Sequence, residues 1–164
     1  MRILTVRQPW AWAIIHGGKD IENRVRNIAG DYRGPVAIHA AIGKTADLND
    51  RQERMLLAAD EGGRGGIGDW LDGEPIAGGV VLGVVDLVAV HRAEGSEAGI
   101  TADMIRGSNR FALNGACSPW AEANAHHLVL ANPRPLSEPI RYRGALGLRR
   151  LDEETIARIE AAIA

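Results

Sequence analysis

Apolar positions in this chain fall in short runs, and few of them keep helical spacing for long. Ile3-Leu4-Thr5-Val6 is β-prone and is stopped by Gln8-Pro9. Pro9 suits the first turn of a helix, and apolar residues at helical spacing from Trp10 to His16 extend it to Gly17-Gly18. Asp20 to Val25 and Pro35 to His39 read as short strands. Ala46 to Glu61 predicts a polar-rich helix with Leu48, Met55, Leu56 and Leu57 as its apolar side. Ala77 to His91 is the strongest strand signal, with a bend or bulge expected at Gly83. After a loop over 92–125, His127 to Leu130 predicts a strand, and Pro133 and Pro135 are expected to interrupt its pairing. Ile140 to Leu151 predicts one or two short strands around Gly144 and Gly147. Asp152-Glu153-Glu154-Thr155 opens a last helix, its acidic residues well placed at the N-terminus. The pattern predicts an α+β fold: a small mixed β-barrel of five to seven short strands with flanking helices.

At 164 residues the chain has the length of one domain over 1–164, enough to bury a core without metal or disulfide staples. Its single cysteine, Cys117, excludes an intramolecular disulfide and a four-cysteine zinc site, and suits a reducing compartment. No apolar run reaches the length of a membrane span, and the N-terminus lacks a signal-peptide core, so the expectation is a cytoplasmic protein with no membrane partner. The net charge of −2 is unevenly spread. Residues 1–34 carry six basic and three acidic groups and 132–150 carry five and one, whereas 44–74 carry four basic against eight acidic. This distribution permits an anionic ligand without requiring one.

The densest polar group is Gly17-Gly18-Lys19-Asp20-Ile21-Glu22-Asn23-Arg24. On a strand over 20–25, Glu22 and Arg24 share one face, while Ile21, Asn23 and Val25 point the other way. Lys19 is expected at the mouth of the site, just after the glycines. A guanidinium fork suits a phosphate or a base edge, and an ammonium suits one anion or a proton transfer. An exposed Lys–Glu–Arg cluster of the same composition would contribute little. Trp10 is the candidate for stacking on a base, Trp12 is expected in the core, and Trp70 or Trp120 could roof the pocket. His39 is a candidate polar member of the cleft. The five histidines have no regular spacing and no matching cysteine or carboxylate pattern, so no metal site is expected. Cys117 reads as an inert buried thiol. The glycine-rich run at 61–68 reads as mobile and is not a phosphate-binding P-loop, because no Gly-Lys-Ser/Thr follows it.

Gly17-x-Lys19-x-x-Glu22-x-Arg24 resembles the signature of the ASCH domain, a branch of the PUA-like β-barrels. The lead-in from Leu4 to Ala11 and the later run Val129-Leu130-Ala131-Asn132-Pro133-Arg134-Pro135-Leu136 are similar to the family's flanks, so the resemblance spans roughly residues 2–151. It implies a PUA-like barrel with a cleft between the first helix and the barrel, lined by the motif. It also implies a partner that is RNA or a modified nucleoside, and no cofactor. Some stand-alone members hydrolyse N4-acetylcytidine with the motif lysine; those members are shorter and carry threonine at the Glu22 position. Ribonuclease activity has also been proposed within the family.

By this resemblance Lys19, Glu22 and Arg24 form the ligand site; beyond the resemblance, Thr5, Arg7, Gln8, Trp10 and His39 are candidates for further lining. Arg134, Arg141 and Arg143 are added for backbone contact. In an enzyme, Lys19 would act as the base and Glu22 would orient it or activate water, with Thr5 or Arg7 steadying an oxyanion. Glu22 beside Lys19 favours the charged ammonium, a poor base, so the expectation ranks binding above amide hydrolysis. A weaker alternative is a protein-interaction module that recognises its partner through the acidic helix at 46–61.

Overall fold

The computed structural model describes residues 1–60, 66–92 and 117–163. Among these residues the elements in chain order are β1 (Arg2–Val6), α1 (Trp10–Ile15), β2 (Ile21–Arg24), β3 (Gly34–Ala40), α2 (Asp50–Ala59), α3 (Ile67–Leu71), β4 (Val80–Arg92), β5 (His126–Arg141), β6 (Leu148–Arg150) and α4 (Glu153–Ala161). The strands form one six-stranded sheet in the order β2-β5-β4-β3-β1-β6. It curls into a half-barrel, giving the α+β, PUA-like architecture. Among the described residues only β1 and β3 run parallel, and every other pairing of named strands is antiparallel.

Alternation along the strands divides the interior between two faces. Leu4, Val6, Val36, Ile38 and Ala40 pack with Ile14 and Ile15 of α1 on one face of the sheet. Their neighbours Ile3 and Ala37 join Val81, Val84, Leu151 and Ile159 on the other, which α4 covers. A third cluster joins Trp12 and Ala13 to Leu56 of α2 and Ile67 of α3.

Gly83 sits at a register break in β4, as its sequence position predicts. A Cβ there would lie 2.6 Å from the Arg134 carbonyl oxygen and 2.8 Å from Ile15 Cδ1, so glycine lets β5 and α1 approach the strand.

The prolines do not end β5, which runs unbroken from His126 to Arg141 and corrects the expected interruption. β2 pairs with His126 to Val129, and further along β5 Ser137 N–H donates to the Ala162 carbonyl beside an isolated Leu136–Ile163 bridge; Pro133 and Pro135 fall between these stretches, where no ladder to a second strand runs among the described residues. On the β4 side the register steps from Asp86↔Ala131 to Val84↔Arg134. Asn132 and Pro133 therefore stand against Val85 alone, in a bulge where Asn132 takes a φ of 50°.

The helix expected over 46–61 is confined to Asp50–Ala59. Asn49 and Gln52 form a reciprocal capping box that starts it there. Its expected apolar side is corrected as well: Leu56 is fully buried while Leu57 is 43% exposed. Consecutive residues fan around a helix by about 100° each and cannot share one face. Residues 61–65 of the glycine-rich run and 93–116 of the expected loop lie outside the described residues. Gly66 leads into α3, a helix the sequence pattern did not predict.

Candidate ligand-binding cleft

α1 ends in a turn that aims the motif. Gly17 N–H donates to the Ala13 carbonyl, and a Cβ on Gly17 would lie 2.8 Å from the Trp12 ring. Gly18 adopts a φ of 67°, in the left-handed region that favours glycine. The chain thereby doubles back, and Lys19 N–H also donates to the Ala13 carbonyl. This places Lys19 inside the site wall and not at the exposed mouth expected for it, since the residue is only 4% exposed.

From there β2 carries Glu22 and Arg24 on one face. Glu22 Oε1 lies 3.0 Å from Arg24 Nη2, and Oε2 lies 3.5 Å from Lys19 Nζ. Lys19 Nζ also donates to the Ile21 carbonyl and stands 5.8 Å from the centroid of the Trp10 ring. Arg24 Nη2 donates to the Thr5 carbonyl at 2.9 Å, tying β2 to the end of β1. Arg24 Nε is buried with no hydrogen-bond partner among the described residues.

These groups line a cleft of about 730 Å³. Arg7 and Trp10 stand on one side, and Gln52 and Met55 of α2 on another. The segment 119–123 forms a roof, whose Trp120 meets Trp10 edge to face with centroids 6.2 Å apart. The charged lining comprises Arg7, Lys19, Arg24 and Arg51 against Glu22, Asp47 and Glu122. Burial pushes the Lys19 pKa below its ordinary value; Glu22 beside it opposes that shift without cancelling it.

Thr5, Arg7, Trp10, Lys19, Glu22 and Arg24 thus meet in one place. The other sequence-derived candidates sit elsewhere. Gln8 is a buried brace, donating from Nε2 to the Ala77 carbonyl and accepting from Trp12 N–H. His39 is buried away from the cleft, with Nε2 3.0 Å from the Tyr142 carbonyl oxygen and burial lowering its pKa. The Thr5 hydroxyl is occupied in accepting from Ala145 N–H, which does not line the cleft, and the Thr5 carbonyl is held by Arg24. Arg134 is paired with Asp86 at 2.6 Å, and neither it nor Arg141 nor Arg143 lines the cleft.

Sequence reasoning missed Asn23, which it placed on the opposite face. The Asn23 amide donates to the Trp120 carbonyl and accepts from Glu122 N–H, clamping the roof to this edge strand. Ser118 holds the same roof from below: its hydroxyl donates to buried Asp20 and accepts from Trp120 N–H. Alternation along a strand cannot reveal a segment that wraps over its free edge.

With this cleft on a curled, PUA-like sheet, the family model of the ASCH domain matches residues 4–140, and the chain belongs to the ASCH domain family. Membership suggests an RNA-binding or related hydrolase-like role. No curated protein matches the chain. Among the described residues no helix is long and apolar enough to cross a membrane.

Proposed function

We propose that the cleft binds a nucleobase, presented by a modified nucleoside or by an unpaired nucleotide of RNA. The observation that carries this reading is the Lys19–Glu22–Arg24 chain lining a cleft that also holds the Trp10–Trp120 pair. The cleft falls within the roughly 300–1,000 Å³ range of small-molecule sites. A base offers flat faces to indoles and a mixed donor and acceptor edge to charged groups. Four basic against three acidic groups suit such an edge better than a run of phosphates, which would call for a basic surplus.

The buried, depressed lysine favours a second reading, hydrolysis of an N4-acylated cytidine. Neutral Lys19 Nζ would accept a proton from water as the water oxygen adds to the acyl carbon. The proton would then pass to the departing 4-amino nitrogen as the C–N bond breaks, leaving cytidine and a carboxylate. Arg7, exposed at the rim, would face the developing oxyanion.

One experiment tests both readings. Protein, Lys19→Ala and Arg24→Ala are each titrated with cytidine, N4-acetylcytidine and a short unpaired RNA at several salt concentrations, and the mixtures are chromatographed. Saturable binding that weakens in both variants supports the cleft as the ligand site. Release of cytidine by the parent protein but not by Lys19→Ala supports hydrolysis. Folded protein that binds none of the three contradicts the proposal.

A further inference from the structure

His91, Cys117 and His127 come from three separate places in the sequence. β4 and β5 set His91 directly opposite His127, with the rings 5.0 Å apart and nearly perpendicular. Cys117 arrives from the start of the roof segment. Its Sγ lies 3.1 Å from His127 Nδ1, and His91 Nε2 lies 3.2 Å from the same nitrogen. All three atoms fall within 4.8 Å of one another.

The far side of His127 decides which proton it carries. Its Nε2 is 2.8 Å from the Glu122 carbonyl oxygen, an acceptor only, so the proton sits on Nε2 and Nδ1 presents a lone pair. A backbone carbonyl holding the second nitrogen is the usual support of a metal-bound histidine. That one lone pair faces two neighbours and can serve only one as a hydrogen-bond acceptor. A cation among the three donors would engage all of them at once.

We infer that His91, Cys117 and His127 form a binding site for a thiophilic divalent ion, Zn²⁺ being the best match. One thiolate and two imidazoles suit zinc and exclude hard ions such as Mg²⁺ and Ca²⁺, which take oxygen ligands. In a tetrahedral zinc site the edges between donors are about 3.3 Å for two nitrogens and about 3.6 Å for nitrogen and sulfur, from the usual metal–ligand lengths. The two close distances here are within about half an ångström of these values. Three protein donors leave a fourth position for water. The ion would also fasten the roof of the neighbouring cleft. Cys117 opens the segment that carries Trp120, and Glu122, which holds His127, lines the cleft. This site is independent of which ligand the cleft takes.

The test uses tag-free, chelator-treated full chain titrated with Co²⁺ and then Zn²⁺. One equivalent of Co²⁺ should produce a thiolate-to-metal charge-transfer absorption, and Zn²⁺ should bleach it. Cys117→Ser should abolish the band, and His91→Gln should weaken binding at least about tenfold, with folding checked by circular dichroism. Cys117 is the only cysteine, so the parent protein supplies a readout without substitution: Zn²⁺ should slow alkylation of the thiol. Failure of the charge-transfer band to form, its persistence in Cys117→Ser, or an alkylation rate indifferent to Zn²⁺ would each overturn the assignment.

Discussion

The Lys19 ammonium lies 3.5 Å from the Glu22 carboxylate, and both side chains are shut away from water, 4% and 9% exposed. Burial lowers the lysine pKa, and the carboxylate limits how far it falls. The unfolded chain holds its proton up to the ordinary lysine value of about 10.4. Between the depressed folded value and that limit, the unfolded state binds more protons, so rising pH favours the folded state. Below the folded value the burial penalty is complete and constant. Relative to Lys19→Met, the parent protein should therefore gain stability as pH rises toward about 10.4. Urea denaturation of the pair across alkaline pH measures this, and a flat or inverted difference contradicts it.

Glu22 serves two cations at once, Arg24 through one oxygen and Lys19 through the other. Glu22→Gln should cost about 3–5 kcal/mol, because both positive charges remain with no carboxylate between them. Lys19→Met in the same chain should restore part of the loss. Chemical denaturation of the single and double variants gives the coupling.

Ser118 carries the roof on one hydroxyl, donating to Asp20 and accepting from Trp120 N–H. Ser118→Ala should destabilise by about 1–3 kcal/mol, the loss of a buried hydrogen bond to a carboxylate together with the one from Trp120 N–H. Ligand affinity should fall with it, since Trp120 and Glu122 line the cleft. Denaturation and a ligand titration on the same sample separate the two effects.

Gly83→Ala probes the seam between β4, β5 and α1. A methyl group there would meet the Arg134 carbonyl and Ile15 at less than 3 Å. The ladder cannot yield on the backbone side without shifting, so a loss of about 1–3 kcal/mol is expected in urea denaturation.

The motif itself was legible before the fold. A period of two places Glu22 and Arg24 together, and the glycines before Lys19 announce a turn. Trp10 beside this group followed from the same local arithmetic. What stayed hidden is non-local. Whether Pro133 breaks a strand depends on which edge is free, and that is set by how short β2 is. Asn23 acquires its role from a segment about a hundred residues later in the chain. His39 and Gln8 are polar residues next to motif-like sequence, yet Gln8 spends its side-chain amide, and His39 its Nε2, on backbone partners in the interior. Sequence spacing also says nothing of His91 and His127, which strand pairing brings face to face.

The central claim, that a base binds in the cleft lined by the indoles and the Lys19–Glu22–Arg24 chain, is tested most directly by photocrosslinking. A short unpaired RNA carrying a photoreactive pyrimidine is irradiated with the protein, and the crosslinked peptides are mapped by mass spectrometry. The account predicts crosslinks in the peptides that contain Trp10 and Trp120, competed away by free nucleoside and reduced in Arg24→Ala. Crosslinks confined to the outer arginines, Arg141 and Arg143, would contradict it.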